Sequence, residues 1–289
     1  MSSPRLSRRA LLEAAGGALA LSLAGCTDAG DGIAGESGDE EPVETERETH
    51  PLLEGTEYET TVHVLTAGEG PTGMVLGGVH GNEIGGIEAA RIATEYELSC
   101  GRLVVIPETN RPAVEEGTRH GPDGDLNRQF PIGEEPTTEL ARALWAEIES
   151  VEPDCLIDMH TSRGIIGVDP GAVGQMIFPS PVEGASEDAA AVAEYVNDEV
   201  MAEFIEENPE YAFRSGEVSE VEIEQSDEVG LMLTMKAGAD LGIPSWITEV
   251  TYNGLDVDQQ TFLHDRLTTR LLAINGIGVE SPLDGESLE

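Results

Sequence analysis

The chain has 289 residues, of which 57 are acidic and 15 basic, for a formal charge of −42. That balance excludes a nucleic-acid partner, because phosphate binding needs a basic face. A hydrophobic content of 39%, set in clear runs, excludes a chain disordered throughout and leaves room for one or two domains with a sizeable core.

Fourteen of the basic residues are arginine and one is lysine, Lys236. Acidic excess with so little lysine resembles proteins adapted to concentrated salt, in which dense carboxylates keep the surface hydrated and salt screens their repulsion. The N-terminal stretch "SRRALLEAAGGALALSLAGC" carries paired arginines, Arg8 and Arg9, then an apolar run from Ala14 to Leu23 that is too short to span a bilayer comfortably. It resembles a twin-arginine export signal ending in a lipobox, Leu23-Ala24-Gly25-Cys26, although Glu13 is unusual in such a signal. The resemblance implies a signal over residues 1–26, a lipid on Cys26, and a protein exported and anchored to the outer face of the cytoplasmic membrane. Residues 27–55 are small and acidic with no periodicity and read as a disordered linker. A single domain is expected over 56–280, followed by a disordered acidic tail over 281–289.

Tyr58 to Leu65 alternates like an edge strand, and Met74 to Val79 is a short apolar strand running into glycines. A helix is expected from Ile84 to Tyr96, a buried strand over 102–110, an amphipathic helix from Thr137 to Val151, and a buried strand over 155–160. Then come a strand over 175–180, a long helix from Ser186 to Asn208, a helix over 229–241, a strand over 243–250 and a last helix from Asp256 to Ile274. Residues 209–228 give no clear pattern. Apolar strands alternating with helices predict an α/β fold, a mainly parallel or mixed sheet sandwiched by helices. Cys100 and Cys155 each precede a strand, and either a disulfide between them or two buried thiols fits.

Ligands gather beyond the carboxyl ends of such strands. His80 ends one strand, His160 another, and Glu249 lies near the end of a third. A His-x-x-Glu pair, here His80 and Glu83, is weak evidence alone, and Glu83 in the first turn of a helix also suits the helix dipole. With a distant third ligand, however, it has the layout of a catalytic zinc site, and His160 in "DMHTS" supplies that ligand. His120 with Asp123 is a rival metal pair on a glycine-rich loop.

"HGNE", "DLNRQFP", "DMHT" and a late "TEV", in this order over residues 74–252, resemble the zinc carboxypeptidase superfamily and most closely its succinylglutamate desuccinylase and aspartoacylase branch. The resemblance implies one zinc ion on His80, Glu83 and His160. It implies Asn127 and Arg128 gripping a substrate carboxylate, Arg119 polarising the scissile carbonyl and Glu249 as general base. Asp125 matches the aspartate that orients the first histidine ligand, and Asp158 could serve likewise. Three departures stand out. The gap from Arg119 to Asn127 is one residue longer than usual, which leaves Arg111 as a stand-in. About forty residues follow Glu249, too few for the extra β-rich domain common in that branch. Neither Tyr211 nor Tyr252 matches the tyrosine that closes over substrate in carboxypeptidases.

The expected activity is therefore zinc-dependent hydrolysis of an amide bond beside a free carboxylate in a small substrate, with N-acyl amino acids the first choice. The alternatives are a metallocarboxypeptidase acting on peptide C-termini and a surface lipoprotein that binds a carboxylated solute without catalysis. The sequence does not set the oligomeric state.

Overall fold

The computed structural model describes residues 44–216, 230–283, 285 and 288. The expected signal, Cys26 and residues 27–43 of the linker lie outside them. In chain order the strands are β1 (Glu46–Leu52), β2 (Thr60–Ala67), β3 (Thr72–Leu76), β4 (Glu97–Leu98), β5 (Gly101–Ile106), β6 (Cys155–Ser162), β7 (Met176–Pro179), β8 (Arg214–Ser215), β9 (Ser245–Thr251) and β10 (Val279–Glu280). The α-helices are α1 (Ile84–Ala93), α2 (Arg111–Glu116), α3 (Glu139–Val151), α4 (Ala185–Tyr195), α5 (Ala202–Glu207), α6 (Leu233–Lys236) and α7 (Val257–Ile274). None among the described residues is long and apolar enough to cross a membrane.

Eight strands form one sheet in the order β1-β2-β5-β3-β6-β9-β7-β8. The four central strands run parallel, while β1, β2 and β7 pair antiparallel with their inner neighbours. This is the mainly parallel, mixed sheet expected from the alternating pattern. One face, through Val75, Ile157, Met159, Trp246 and Val250, packs on α1, α4 and α7. The other, through Met74, Leu76, Val104, Ile106 and Leu156, packs on α3 and α6. Burial on both faces explains why the central strands read as continuous apolar runs.

Three expectations need correction. The linker does not run to residue 55, because Glu46–Leu52 form β1, paired residue by residue with β2. That strand reads "ERETHPL", with charges and Pro51 on an exposed edge, a composition that protects a sheet edge and carries no alternation to detect. β2 is consequently the second strand rather than the edge. The long helix over 186–208 is broken: α4 passes into a wide turn over Val196–Val200, and α5 restarts at Ala202. The extra residue in that turn lets Val196, Val200 and Met201 all face the core, with the Met201 N–H donating to the Val196 carbonyl at 2.8 Å.

The tail expected over 281–289 is tied down where it is described. Ser281 donates from its hydroxyl to Asp265, and the Leu288 N–H donates to the Val200 carbonyl with its side chain buried. Cys155 opens β6 and is buried in the core.

Candidate active site

The segment after β3 enters the site through glycines. A Cβ at Gly81 would lie 2.0 Å from the Ala113 carbonyl group in α2, and one at Gly86 would lie 2.7 Å from the Met159 carbonyl oxygen in β6. Only glycine permits these approaches, which seat the loop between α2 and the sheet and draw the start of α1 onto β6. Glu83 ends up at the N-cap of α1 but makes no side-chain capping bond. Its carboxylate turns inward instead, so its role is not merely to complement the helix dipole.

Four carboxylates and two histidines converge there. The Nδ1 atoms of His80 and His160 lie 3.1 Å apart, and Glu83 places Oε1 2.8 Å from the first and Oε2 2.9 Å from the second. On the far side of each ring, His80 Nε2 donates to Asp125 Oδ1 and His160 Nε2 donates to Asp158 Oδ2, both at 2.9 Å. Those two bonds assign the ring protons to Nε2 and leave both Nδ1 lone pairs facing each other and the carboxylate. Three acceptors pointed at one spot repel unless a cation lies among them. Ligands of a tetrahedral zinc are about 3.3 Å apart, close to the spacing found here. His80, Glu83 and His160 thus fit a metal ion by the chemistry of their donor set and by their burial.

The electrostatics follow the same geometry. Without a metal ion the same demand for positive charge is met by protonation: burial works against charge on His160, yet Asp158 and Glu83 raise its pKa well above the usual histidine value. Burial likewise opposes ionisation of Glu83, but the two histidines hold it well below the carboxylate range. Asp125 is also lowered against its burial, by His80, Arg119 and Arg128.

Glu249 lies directly across from His160 in the register of β6 and β9, so both side chains share one face at adjacent positions. Burial, reinforced by Glu83, pushes its carboxyl up to about 7 against the opposing pull of His160, Arg119 and His80. Glu249 is thus a carboxyl group poised to exchange a proton near neutrality beside His80, Glu83 and His160.

Arg119 also reaches the cluster, donating from Nη1 to Glu83 Oε1 at 2.8 Å with Nη2 3.9 Å from Asp125. Arg111 does not substitute for it, since its guanidinium pairs with Glu115 at 2.8 Å and Glu108 at 3.7 Å. Asn127 and Arg128 lie in a short 3-10 turn, Leu126–Arg128, which Asp125 caps by accepting from the Asn127 N–H at 3.0 Å. One aspartate therefore fixes both the first histidine and the turn bearing the expected carboxylate grip. The Asn127 side chain accepts from the Leu233 N–H at 3.1 Å, and Arg128 Nη1 donates to the Asn127 carbonyl.

The rival metal pair comes apart. Asp123 accepts from the Tyr58 hydroxyl at 2.7 Å, while His120 Nε2 lies 3.4 Å from Asp125. Tyr211 donates to the Asn253 carbonyl. His264 lies on the opposite sheet face against Thr248, where burial lowers its pKa to about 3 and keeps it neutral.

The sequence reading missed Lys236. It is buried and donates from Nζ to the carbonyls of Pro131 and Glu134 and to Asp240 Oδ2, tying the loop after Arg128 to α6. Its being the single lysine in the chain was the available signal.

Residues 69–169 match the family model described as the Succinylglutamate desuccinylase/Aspartoacylase catalytic domain. Two curated relatives are similar over part of the chain. The N-alpha-acetyl-L-2,4-diaminobutyric acid deacetylase of Halomonas elongata is 31% identical over 122 residues, 40% of this chain and 36% of the relative. The N-acyl-aromatic-L-amino acid amidohydrolase (carboxylate-forming) of Homo sapiens is 30% identical over 108 residues, 32% of this chain and 34% of the relative. The matches thus span about a third of each relative's length. Among solved structures, the product-bound Cell Shape Determinant protein Csd4 of Helicobacter pylori superposes with a TM-score of 0.62 at 22% identity, covering 74% of this chain and 53% of that one. The structural likeness shows the fold, and with the family match it supports this branch of the zinc carboxypeptidase-like superfamily.

Proposed function

We propose that this chain, with its match to the succinylglutamate desuccinylase and aspartoacylase catalytic domain, is a zinc-dependent amidohydrolase that cleaves the amide bond of N-acyl amino acids beside a free carboxylate. The observation that carries the reading is the convergence of His80, Glu83 and His160 with Glu249 next to them in register. The deacetylase and amidohydrolase names of the two curated relatives support the same reaction class.

One zinc ion on the three ligands would supply Lewis acidity to the scissile carbonyl and make water a better nucleophile near neutral pH. Glu249 takes the proton from the attacking water and returns it to the leaving amine, a shuttle suited to a carboxyl across the register from His160. Arg119, beside Glu83, stabilises charge that develops on the carbonyl oxygen. Asn127 and Arg128 hold the substrate carboxylate, the guanidinium through two parallel hydrogen bonds. Asp125 and Asp158 keep both histidine rings in the tautomer that presents Nδ1 to the metal. We further propose export and lipid anchoring at Cys26, supported by Arg8, Arg9 and the lipobox residues.

The test uses an N-acyl amino acid and its C-terminal amide. The acid should be cleaved at least about tenfold faster in kcat/KM, because an amide leaves the arginine donors without an anion. Arg128→Lys should slow cleavage of the acid and narrow that ratio. Equal cleavage of acid and amide by the unaltered protein would rule out the carboxylate grip. Faster cleavage of a dipeptide with a free amino terminus than of the acyl amino acid would replace the deacylase reading with a carboxypeptidase.

A further inference from the structure

The single lysine of the chain is buried, where an ammonium group is costly to place and persists only if its donors find acceptors. Lys236 has three N–H donors and three oxygens around them: the Pro131 carbonyl at 3.0 Å, the Glu134 carbonyl at 2.7 Å and Asp240 Oδ2 at 2.5 Å. Nζ also lies over the Trp145 ring of α3, 4.5 Å from its centroid. A tripod of donors suits three separate acceptors, whereas a planar guanidinium does not. That is a physical reason for lysine here in a chain that otherwise uses arginine fourteen times.

What the ammonium serves is one turn of backbone. The Glu134 N–H donates to the Pro131 carbonyl at 3.3 Å and Gly133 has a φ of +74°, so residues 131–134 form a turn that favours glycine at its third position. Lys236 takes the carbonyls at both ends of that turn, and Asp240 accepts from the Gly133 N–H at 3.0 Å through either oxygen. The pair closes on the turn as a clasp. Only Gln129 and Phe130 separate the turn from Arg128, and the N–H groups of Phe130 and Ile132 donate to the carbonyls of Leu231 and Gly230 at 3.0 and 3.1 Å. At the start of α6 the Leu233 N–H donates to the Asn127 side chain at 3.1 Å. Because α6 is a single helical turn, Leu233–Lys236, the clasp at its end and the hold on Asn127 at its start move as one piece.

We propose that Lys236, with Asp240, is a positioning residue that sets Asn127 and Arg128 at the spacing a substrate carboxylate requires. The inference rests on the carboxylate grip assigned to those two residues above. Lys236 acts through the turn that follows Arg128 and through the helix start that holds Asn127. A two-pronged contact with a carboxylate is geometrically strict, so a small displacement of its donors weakens it. The metal ligands stand on other elements, His80 and Glu83 between β3 and α1 and His160 in β6, so the effect falls on the anionic end of the substrate and spares the metal.

An N-acyl amino acid and its C-terminal amide test this with Lys236→Arg, which keeps the charge and loses the tripod. In the zinc-loaded full chain the variant should raise KM for the acid about tenfold with a much smaller change in kcat, and change the amide little. Zinc content and the circular dichroism spectrum should stay as in the unaltered protein. A lysine that only stabilises the fold would lower turnover of acid and amide alike and preserve both KM values, and that result would overturn the proposal. Should Lys236→Arg not fold, Asp240→Asn, at an exposed residue, loosens the clasp from its other side. It should raise KM for the acid about threefold, and an unchanged KM would overturn the proposal. Should the unaltered protein cleave neither compound, or both alike, the carboxylate grip fails separately and amide hydrogen exchange at Leu233 decides the positioning role. Faster exchange of that N–H in the folded variant would sustain the hold on Asn127, and unchanged exchange would overturn it.

Discussion

Glu249→Gln separates catalysis from stability in a way that follows from the burial of this carboxyl. In the metal-free folded protein the group titrates at about 7 against an ordinary value of 4.5. Below pH 4.5 it is protonated whether the chain is folded or not, and it adds nothing to the difference. As pH rises, the unfolded chain ionises first, so stability is lost progressively between about 4.5 and 7 and stays lost above. The gap corresponds to roughly 3 kcal/mol. Glutamine keeps the shape and does not titrate, so the metal-free variant should match the unaltered protein at pH 4.5 and exceed it by up to about 3 kcal/mol at pH 8. The assay is denaturant unfolding of both proteins across that range, paired with turnover of the zinc-loaded forms. There the variant should retain its metal and lose about a hundredfold or more in kcat, as expected for a general base. A variant no more stable at pH 8 than at pH 4.5, relative to the unaltered protein, would refute the burial argument. Near-normal turnover would remove Glu249 from the chemistry.

Two more outcomes follow from the contacts. His160→Ala should lose most bound zinc, measured by elemental analysis after dialysis, whereas His120→Ala should keep it, because the His120 ring lies 3.4 Å from Asp125 and outside the group of His80, Glu83 and His160. Lys236→Met should cost about 3 kcal/mol or more in a denaturation midpoint experiment, because it leaves Asp240 and two carbonyls without the buried ammonium that serves them.

What the sequence made legible was decided by chemistry that repeats locally. The glycines around His80 and Glu83 announce a strand that must meet a helix at close range, and Gly81 and Gly86 do allow contact with Ala113 and Met159. His160 and Glu249 were legible as strand ends, and their pairing across β6 and β9 follows from parallel neighbours. Where position depends on distant partners, the pattern fails. β1 has no apolar alternation, because an edge exposed to water does not need one. The wide turn at Val196–Val200 keeps the composition of a helix while rotating its buried face. Lys236 was visible as a lone lysine, but the carbonyls it serves lie about a hundred residues away in the chain.

One titration bears most directly on His80, Glu83 and His160. Metal-free protein is mixed with increasing zinc, and hydrolysis of an N-acyl amino acid is followed at each step. If His80, Glu83 and His160 form one catalytic site, turnover rises from near zero and levels off at one equivalent of zinc per chain. Full turnover without metal, or none at one equivalent bound, would contradict it.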